Sequence, residues 1–132
     1  MRYLGVDYGT KRTGVALSDA DGTIAFPNEV LDGDKQTTIR ALKKILSAEG
    51  AQKIIVGLPV SLQGEETKIS NEVRTFAAEL HRELGVPVEL ENEMLTTKIA
   101  GEHTERERID AASAAIILQS YLDKKNRGAN KS

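Results

Sequence analysis

The chain has 132 residues, 39% hydrophobic and 29% charged, the balance of one ordinary globular domain large enough to bury its own core. Its 18 Lys and Arg stand against 20 Asp and Glu, a formal charge of −2, which excludes both a histone-like polycation and an acidic disordered tail protein. With no cysteine and only two histidines, His81 and His103, the chain cannot carry a disulfide framework, a thiol nucleophile, a cysteine zinc site, an iron–sulfur centre or a multi-histidine cage.

In chain order, Arg2 to Tyr8 reads as a strand with Leu4 and Val6 apolar, ending at Asp7-Tyr8-Gly9. Thr10-Lys11-Arg12 is a polar turn, Thr13 to Ser18 a second strand, Asp19 to Gly22 a turn, and Thr23 to Leu31 a third strand. Short turns between three strands predict an antiparallel meander, and Pro27 puts the third strand at an edge or a bulge. Ile39, Leu42, Ile45 and Leu46 recur at helical spacing, and Gly50 closes that helix. Lys53 to Val56 is a buried strand ended by Gly57-Leu58-Pro59, and Val60 to Glu66 is a loop containing Gln63 and Gly64. Ile69, Val73, Phe76, Leu80 and Leu84 predict an amphipathic helix stopped by Gly85 and Pro87.

Val88 to Asn92 is a fifth strand, and a short helical piece follows Leu95-Thr96-Thr97. The last helix runs from about Ile109 to Asp123, with Ile109, Ala112, Ile116, Ile117 and Leu122 on its apolar side. Residues 1–123 are expected to form the domain, and 124–132, with four basic residues and no acidic one, a frayed basic C-terminal tail. Strands separated by helices run parallel through right-handed crossovers. The expected class is therefore α/β, a mixed five-stranded sheet (an antiparallel three-strand meander plus two parallel strands) flanked by helices. No apolar run approaches the roughly 18 residues of a membrane helix. The N-terminus enters a strand without a charged leader or cleavage site, so the expectation is a cytoplasmic protein with no membrane partner.

Three carboxylates stand out. Asp7 ends the first strand on the face opposite Leu4 and Val6, where a covered sheet would require it to have a partner or a metal. The plain alternative is an Asp that organises its own turn. Glu93 follows the fifth strand, where parallel strands present ligands, while Glu89 and Glu91 read as solvated edge charges. Asp110 opens the last helix, either complementing its dipole or facing a site. Three convergent carboxylates repel one another, and a divalent cation removes that penalty. Mg²⁺ accepts a few carboxylates plus water and phosphate oxygens, and two such ions can clamp both oxygens of a phosphodiester displacement.

Lys11 and Arg12 either hold a phosphate or form a solvated turn. Arg106 and Arg108 either track a nucleic-acid backbone or, with Glu105 and Glu107, form a solvated charge run. Gln63 and Gly64 read as a connector, Thr96 and Thr97 as helix caps, His81 as structural, and His103 as a loop histidine able to shuttle a proton.

The segment Gly5-Val6-Asp7-Tyr8-Gly9-Thr10-Lys11-Arg12-Thr13-Gly14-Val15-Ala16 resembles the opening motif of the YqgF-like, or RuvX-like, proteins. The resemblance continues through Ile55-Val56-Gly57-Leu58-Pro59 with Gly64, through Leu95-Thr96-Thr97, and through Ile109-Asp110-Ala111-Ala112-Ser113-Ala114 to Tyr121-Leu122. These matches occur in order along essentially the whole chain. The resemblance implies an RNase H-like fold and a nuclease that processes the 5′ end of precursor 16S ribosomal RNA. The family is also described as Holliday-junction resolvase-like. It assigns Asp7, Glu93 and Asp110 to the acidic positions, Lys11 and Arg12 to the basic turn, and Arg106 and Arg108 to positions often held by lysine. The family's usual Asp-Glu-Arg-Leu reads Asn92-Glu93-Met94-Leu95 here, which removes an ion pair or phosphate contact beside the site.

The leading expectation is metal-dependent hydrolysis of structured RNA, with Asp7, Glu93 and Asp110 holding Mg²⁺ or Mn²⁺. Lys11, Arg12, Arg106 and Arg108 would position the backbone without reading sequence. A pre-ribosomal particle is an expected partner, and the chain a monomer or homodimer. The alternatives are a Holliday-junction DNA resolvase, which favours a homodimer, and a non-catalytic nucleic-acid-binding or ribosome-assembly module. Asp7-Tyr8-Gly9-Thr10 also resembles the first phosphate motif of actin-like and sugar-kinase ATPases, but those need a second domain and phosphate loop for which 132 residues leave no room.

Overall fold

The computed structural model describes residues 1–94 and 111–130. Strands β1 (Tyr3–Asp7), β2 (Arg12–Ser18) and β3 (Ala25–Asp32) come first, followed by α1 (Lys35–Glu49), β4 (Lys53–Val60), α2 (Lys68–Leu84), β5 (Val88–Met94) and α3 (Ala111–Asn130). The sheet order is β3-β2-β1-β4-β5. β1, β2 and β3 pair antiparallel, whereas β4 is parallel to both β1 and β5. This is the expected mixed five-stranded sheet. Among the described residues no helix is long and apolar enough to cross a membrane.

Local chemistry sets the element ends. The Asp34 carboxylate accepts the Thr37 N–H at 2.9 Å and starts α1, and Gly50 ends it at φ 68°. The Ser70 hydroxyl accepts the Thr67 N–H at 2.8 Å and donates to the Pro59 carbonyl, tying the start of α2 to the end of β4. Gly85 ends α2 at φ 72°, and His81 Nδ1 lies 2.8 Å from the Val86 carbonyl oxygen, the structural role expected of that histidine.

Alternation along the strands divides the interior in two. Leu4, Val6, Val15, Ile54 and Val56 face α1 and α2, packing with Leu42, Phe76 and Leu80. Tyr3, Ala16 and Ile55 face α3, packing with Ala114, Ile117, Leu118 and Leu122. Burying each of those large α3 side chains stabilises by about 1.5–3 kcal/mol, more than a surface ion pair supplies. α3 runs opposite to β1, since Ala114 and Leu118 lie over Gly5 and Tyr121 meets the Tyr3 ring at 5.8 Å. Its first turn therefore stands at the Asp7 end of the sheet.

Several expected boundaries move. β4 continues through Gly57-Leu58-Pro59 to Val60 instead of ending at Val56. Its ladder with β1 stops at Val6↔Val56, and from Gly57 to Pro59 only the β5 side is paired, so the strand accommodates a proline before Val60 bridges to Glu66. β5 likewise runs on to Met94, which places Glu93 inside the strand. β3 begins at Ala25 rather than Thr23, because the Asp19 carboxylate accepts the Thr23 and Ile24 N–H groups at 2.8 and 3.1 Å and holds them in the turn. Pro27 lies on the edge strand at a register shift, where Glu29 pairs with Val15 and Pro27 with Ala16, and Asn28 is passed over.

α3 extends to Asn130 where a frayed tail was expected. Lys124 reaches Glu91 at 2.8 Å, Lys125 lies 5.6 Å from the Tyr3 ring centroid, and Asn126 donates to the Gly22 carbonyl at 3.2 Å. Ile116 and Ala112 are not on the core side of the helix; Ile116 is 71% exposed. The helical piece expected after Leu95-Thr96-Thr97, and Ile109, lie outside the described residues.

Two outcomes follow for stability. A Cβ at Gly5 would stand 2.8 Å from Leu118 Cβ and 3.1 Å from the Ala114 carbonyl oxygen. Gly5→Ala should therefore lower the unfolding free energy by about 1–3 kcal/mol in urea melts. Hydrogen bonds, first from the Thr23 hydroxyl and then from the Thr23 and Ile24 N–H groups, hold the Asp19 carboxyl down to about 2, against an ordinary value of 3.8. Its contribution is thus complete above 3.8 and disappears as the pH falls through about 2. Asp19→Ala should melt below the wild type at neutral pH, with the gap closing over that acid range in thermal scans.

Candidate active site

The parallel strands β1, β4 and β5 end together on one side of the sheet, and α3 begins there. Asp7 is the last residue of β1, half-buried, and shares its face with Tyr3 and Gly5, beneath α3. Glu93, also half-buried, lies on the same face as Glu91, whose carboxylate meets α3. The face read from the sequence for Asp7 therefore holds.

β4 lies between the two strands that carry these carboxylates. Adjacent strands are about 4.8 Å apart, so β1 and β5 are separated by roughly 9–10 Å. One residue beyond the last paired rung of β1 and β4, Val6↔Val56, come Asp7 and Gly57. Glu93 is in register with Pro59, yet its Oε1 lies 3.2 Å from where a Cβ of Gly57 would be. The glutamate side chain therefore leans back across Gly57, towards the strand of Asp7. An aspartate at 93 would fall short by about one carbon–carbon bond, roughly 1.5 Å.

Asp110 lies outside the described residues, as do Arg106, Arg108, Thr96, Thr97 and His103. Among the described residues no three His, Cys, Asp or Glu side chains form a metal-holding group. Asp7 and Glu93 supply two carboxylates, a donor set suited to Mg²⁺, which takes one or two carboxylates and completes its shell with water or phosphate oxygens.

The two carboxylates earlier on β5 are tied to cations. Glu91 is 6% exposed, not a solvated edge charge as expected, because α3 covers it. It accepts from the Ser120 hydroxyl at 2.9 Å and from Lys124 Nζ at 2.8 Å. Glu89 pairs with Lys53 at 2.7 Å, and Lys53 Nζ also donates to the Tyr121 hydroxyl at 3.0 Å. The Lys53 hydrogen bond holds the Glu89 carboxyl below its usual range, and the same bond, followed by that to Tyr121, raises the Lys53 ammonium.

Lys11, in the turn that leaves Asp7, and Arg12, expected in that turn but found as the first residue of β2, are both exposed at the same end of the sheet. The Gly33 N–H donates to the Lys11 carbonyl at 3.1 Å, and Arg12 is in register with Asp32. Gln63 and Gly64 occupy a tight connector after β4. There the Ser61 hydroxyl oxygen accepts the Gln63 and Glu65 N–H groups at 3.2 and 3.1 Å, and Gly64 adopts φ 82°.

Two residues here escaped the sequence reading. Gly57 was taken for a strand terminator. Tyr8 was read only as the end of the first strand and part of the opening motif, although alternation puts it on the Leu4 and Val6 side. Its ring stacks on Phe76 at 4.0 Å and 14°. Burial pushes the Tyr8 phenol up from 10.0, and the nearby Lys35 ammonium opposes that rise.

The sequence matches the RuvX family, described as Holliday junction resolvase, over residues 1–124. It is 36% identical over 132 residues to a protein of Maridesulfovibrio salexigens named "Putative pre-16S rRNA nuclease", with 92% of this chain and 98% of that one covered. A protein of the same name from Anaplasma marginale is 40% identical over 138 residues, covering 96% and 88% of the two chains. In three dimensions, the chain is similar to Thermus thermophilus RuvC at a TM-score of 0.56 and 16% identity, covering 95% and 96% of the chains. It is similar to the fowlpox virus Holliday junction resolvase at a TM-score of 0.52 and 14% identity, covering 94% and 99%. At those identities the likeness concerns architecture, and the architecture is the RNase H-like one that the sequence motifs implied.

The Tyr8 stack makes its own prediction. Because the folded state disfavours the phenolate, unfolding free energy should begin to fall as the pH climbs through 10.0, where the unfolded chain ionises first. Tyr8→Phe should remove that alkaline loss, as read from denaturant melts across the range.

Proposed function

This chain belongs to the RuvX family, and we propose that it is a nuclease that hydrolyses phosphodiester bonds in structured RNA, acting at the 5′ end of precursor 16S ribosomal RNA. The observation that carries the reading is the reach of Glu93 across Gly57 towards the strand that ends in Asp7. Two oxygen-donor side chains share one face at the carboxyl ends of parallel strands, where α/β sheets hold ligands. The names of the curated relatives supply the RNA substrate.

In this reading Asp7, Glu93 and Asp110 hold Mg²⁺ or Mn²⁺. When bound, such a cation supplies Lewis-acid stabilisation of the charge that builds on the phosphoryl oxygens. The protein's own part is positional. Asp7 sits at a fixed strand end, and Glu93 is held by the β5 ladder. Exposed Lys11 in the turn and Arg12 at the start of β2, with Arg106 and Arg108, bind phosphates along the backbone, contacts that carry no sequence information. A pre-ribosomal particle as scaffold and a cytoplasmic setting belong to the same proposal.

The second reading is a Holliday-junction resolvase. The family description favours it, and two coordinated cuts would ask for a homodimer. Cleavage of end-labelled precursor 16S RNA and of a four-way DNA junction, run side by side with Mg²⁺ or Mn²⁺, separates the two. RNA cleavage should dominate; symmetric junction cuts would reverse the order. Asp7→Asn should lower the rate by about 100-fold or more. Glu93→Asp should be as damaging as Glu93→Gln, because the shortened carboxylate no longer spans Gly57. Wild-type and variant proteins that bind RNA equally and cleave it equally poorly would point to a non-catalytic binding module.

A further inference from the structure

We infer that Gly57 is a positioning residue of the site: its missing side chain is what lets the Glu93 carboxylate lie across β4. The backbone does not demand glycine at this position, since Gly57 is absent from the positive-φ glycines among the described residues, which are Gly22, Gly33, Gly50, Gly64 and Gly85. Space demands it. A Cβ here would stand 2.5 Å from Ile117 Cδ1, 3.2 Å from Ile117 Cγ1 and 3.2 Å from Glu93 Oε1.

The two neighbours make different claims on that space. Ile117 is 3% exposed and belongs to the core beneath α3, so its contact concerns packing. Glu93 brings a carboxylate oxygen, so its contact concerns where a ligand-binding atom sits. Gly5 provides the comparison. On the same face of β1, its Cβ would meet only α3, at Leu118 and Ala114, and no carboxylate. Both glycines let the helix settle on the sheet, but only Gly57 also leaves room for a site residue. The contact with Oε1 is tighter than ordinary van der Waals spacing, so an added methyl displaces the carboxylate by a few tenths of an ångström or turns it away from β1.

The inference rests on reading Glu93 as a metal ligand, and the experiment separates the two. Gly57→Ala alone mixes packing with positioning. Ile117→Val removes Cδ1, the atom behind the 2.5 Å contact, and leaves Glu93 untouched. The pair Gly57→Ala/Ile117→Val is therefore compared with Ile117→Val alone, by thermal melting, by calorimetric titration with Mn²⁺ alone, and by cleavage kinetics. The expected result is a melting temperature close to that of Ile117→Val, Mn²⁺ affinity lower by about 10-fold or more, and a loss in kcat with KM for RNA unchanged.

Recovery of Mn²⁺ affinity and kcat together with stability would overturn the inference and leave Gly57 a packing glycine. If the pair still melts early, Gly57→Ala/Ile117→Ala, which also clears Cγ1, is compared with Ile117→Ala on the same three measurements. Glu93→Gln is titrated in parallel. Wild-type Mn²⁺ affinity in that variant would remove Glu93 from the metal site, a failure of the underlying reading that is distinct from a failure at Gly57.

Discussion

Carboxylates carried on strands that are not neighbours can share a ligand only if the strand between them stays bare on that face. Here β4 separates Asp7 from Glu93, and Gly57 is the residue of β4 that lies under the Glu93 carboxylate. Much of the local architecture answers that one requirement. The outer strand carries the longer acid and the central strand the shorter one. α3 can then lie close above a face where Gly5 and Gly57 contribute no side chains, with Ile117 and Leu118 filling the space. Helix packing and site assembly thus draw on the same empty volume.

The rest of that face is organised by charge. β5 turns Glu89, Glu91 and Glu93 towards α3, a row of like charges that would repel if left alone. Lys53 from β4 neutralises the first and Lys124 from α3 the second. The second pairing has a directional effect, because Lys124 lies near the far end of α3 and its bond to buried Glu91 resists sliding of the helix along the sheet. The hydrophobic contacts hold α3 down, whereas the Glu91 contacts set where along β5 it sits. Its first turn is kept at the end of the sheet where Asp7 and Glu93 stand.

What could be read from the sequence was whatever depended on short range. Alternation about Leu4 and Val6 put Asp7 on the opposite face, and the spacing of Ile69, Val73, Phe76 and Leu80 gave α2. Pro27 marked the edge strand. What escaped depended on partners far along the chain. Gly57-Leu58-Pro59 looks like a strand ending, and becomes strand only because β5 pairs with it up to Met94. Glu91 looks like an edge charge until Ser120 and Lys124, 29 and 33 residues away, close over it. Ile116 fits the apolar period of its helix, but Ala114, Ile117 and Leu118 take the sheet-facing side and leave it outside. The glycine that opens the site carries no chemical group, so nothing in its identity marks it until the neighbouring strands and α3 are in place.

The displaced register of β3 matters beyond the domain itself. This outer strand leaves Phe26 half exposed and Val30 39% exposed, an apolar margin of the kind that recruits another extended chain. Pro27 removes one backbone donor from that margin, and the extra residue Asn28 bends it out of line. The opposite margin, β5, carries a glutamate at every second position. A copy approaching β3 meets a broken ladder, whereas the β5 glutamates turn towards α3, with Glu89 and Glu91 paired to Lys53 and Lys124. The displaced register of β3 thus works against fibrous growth from that margin, and it does so through a strand that carries none of the proposed site side chains.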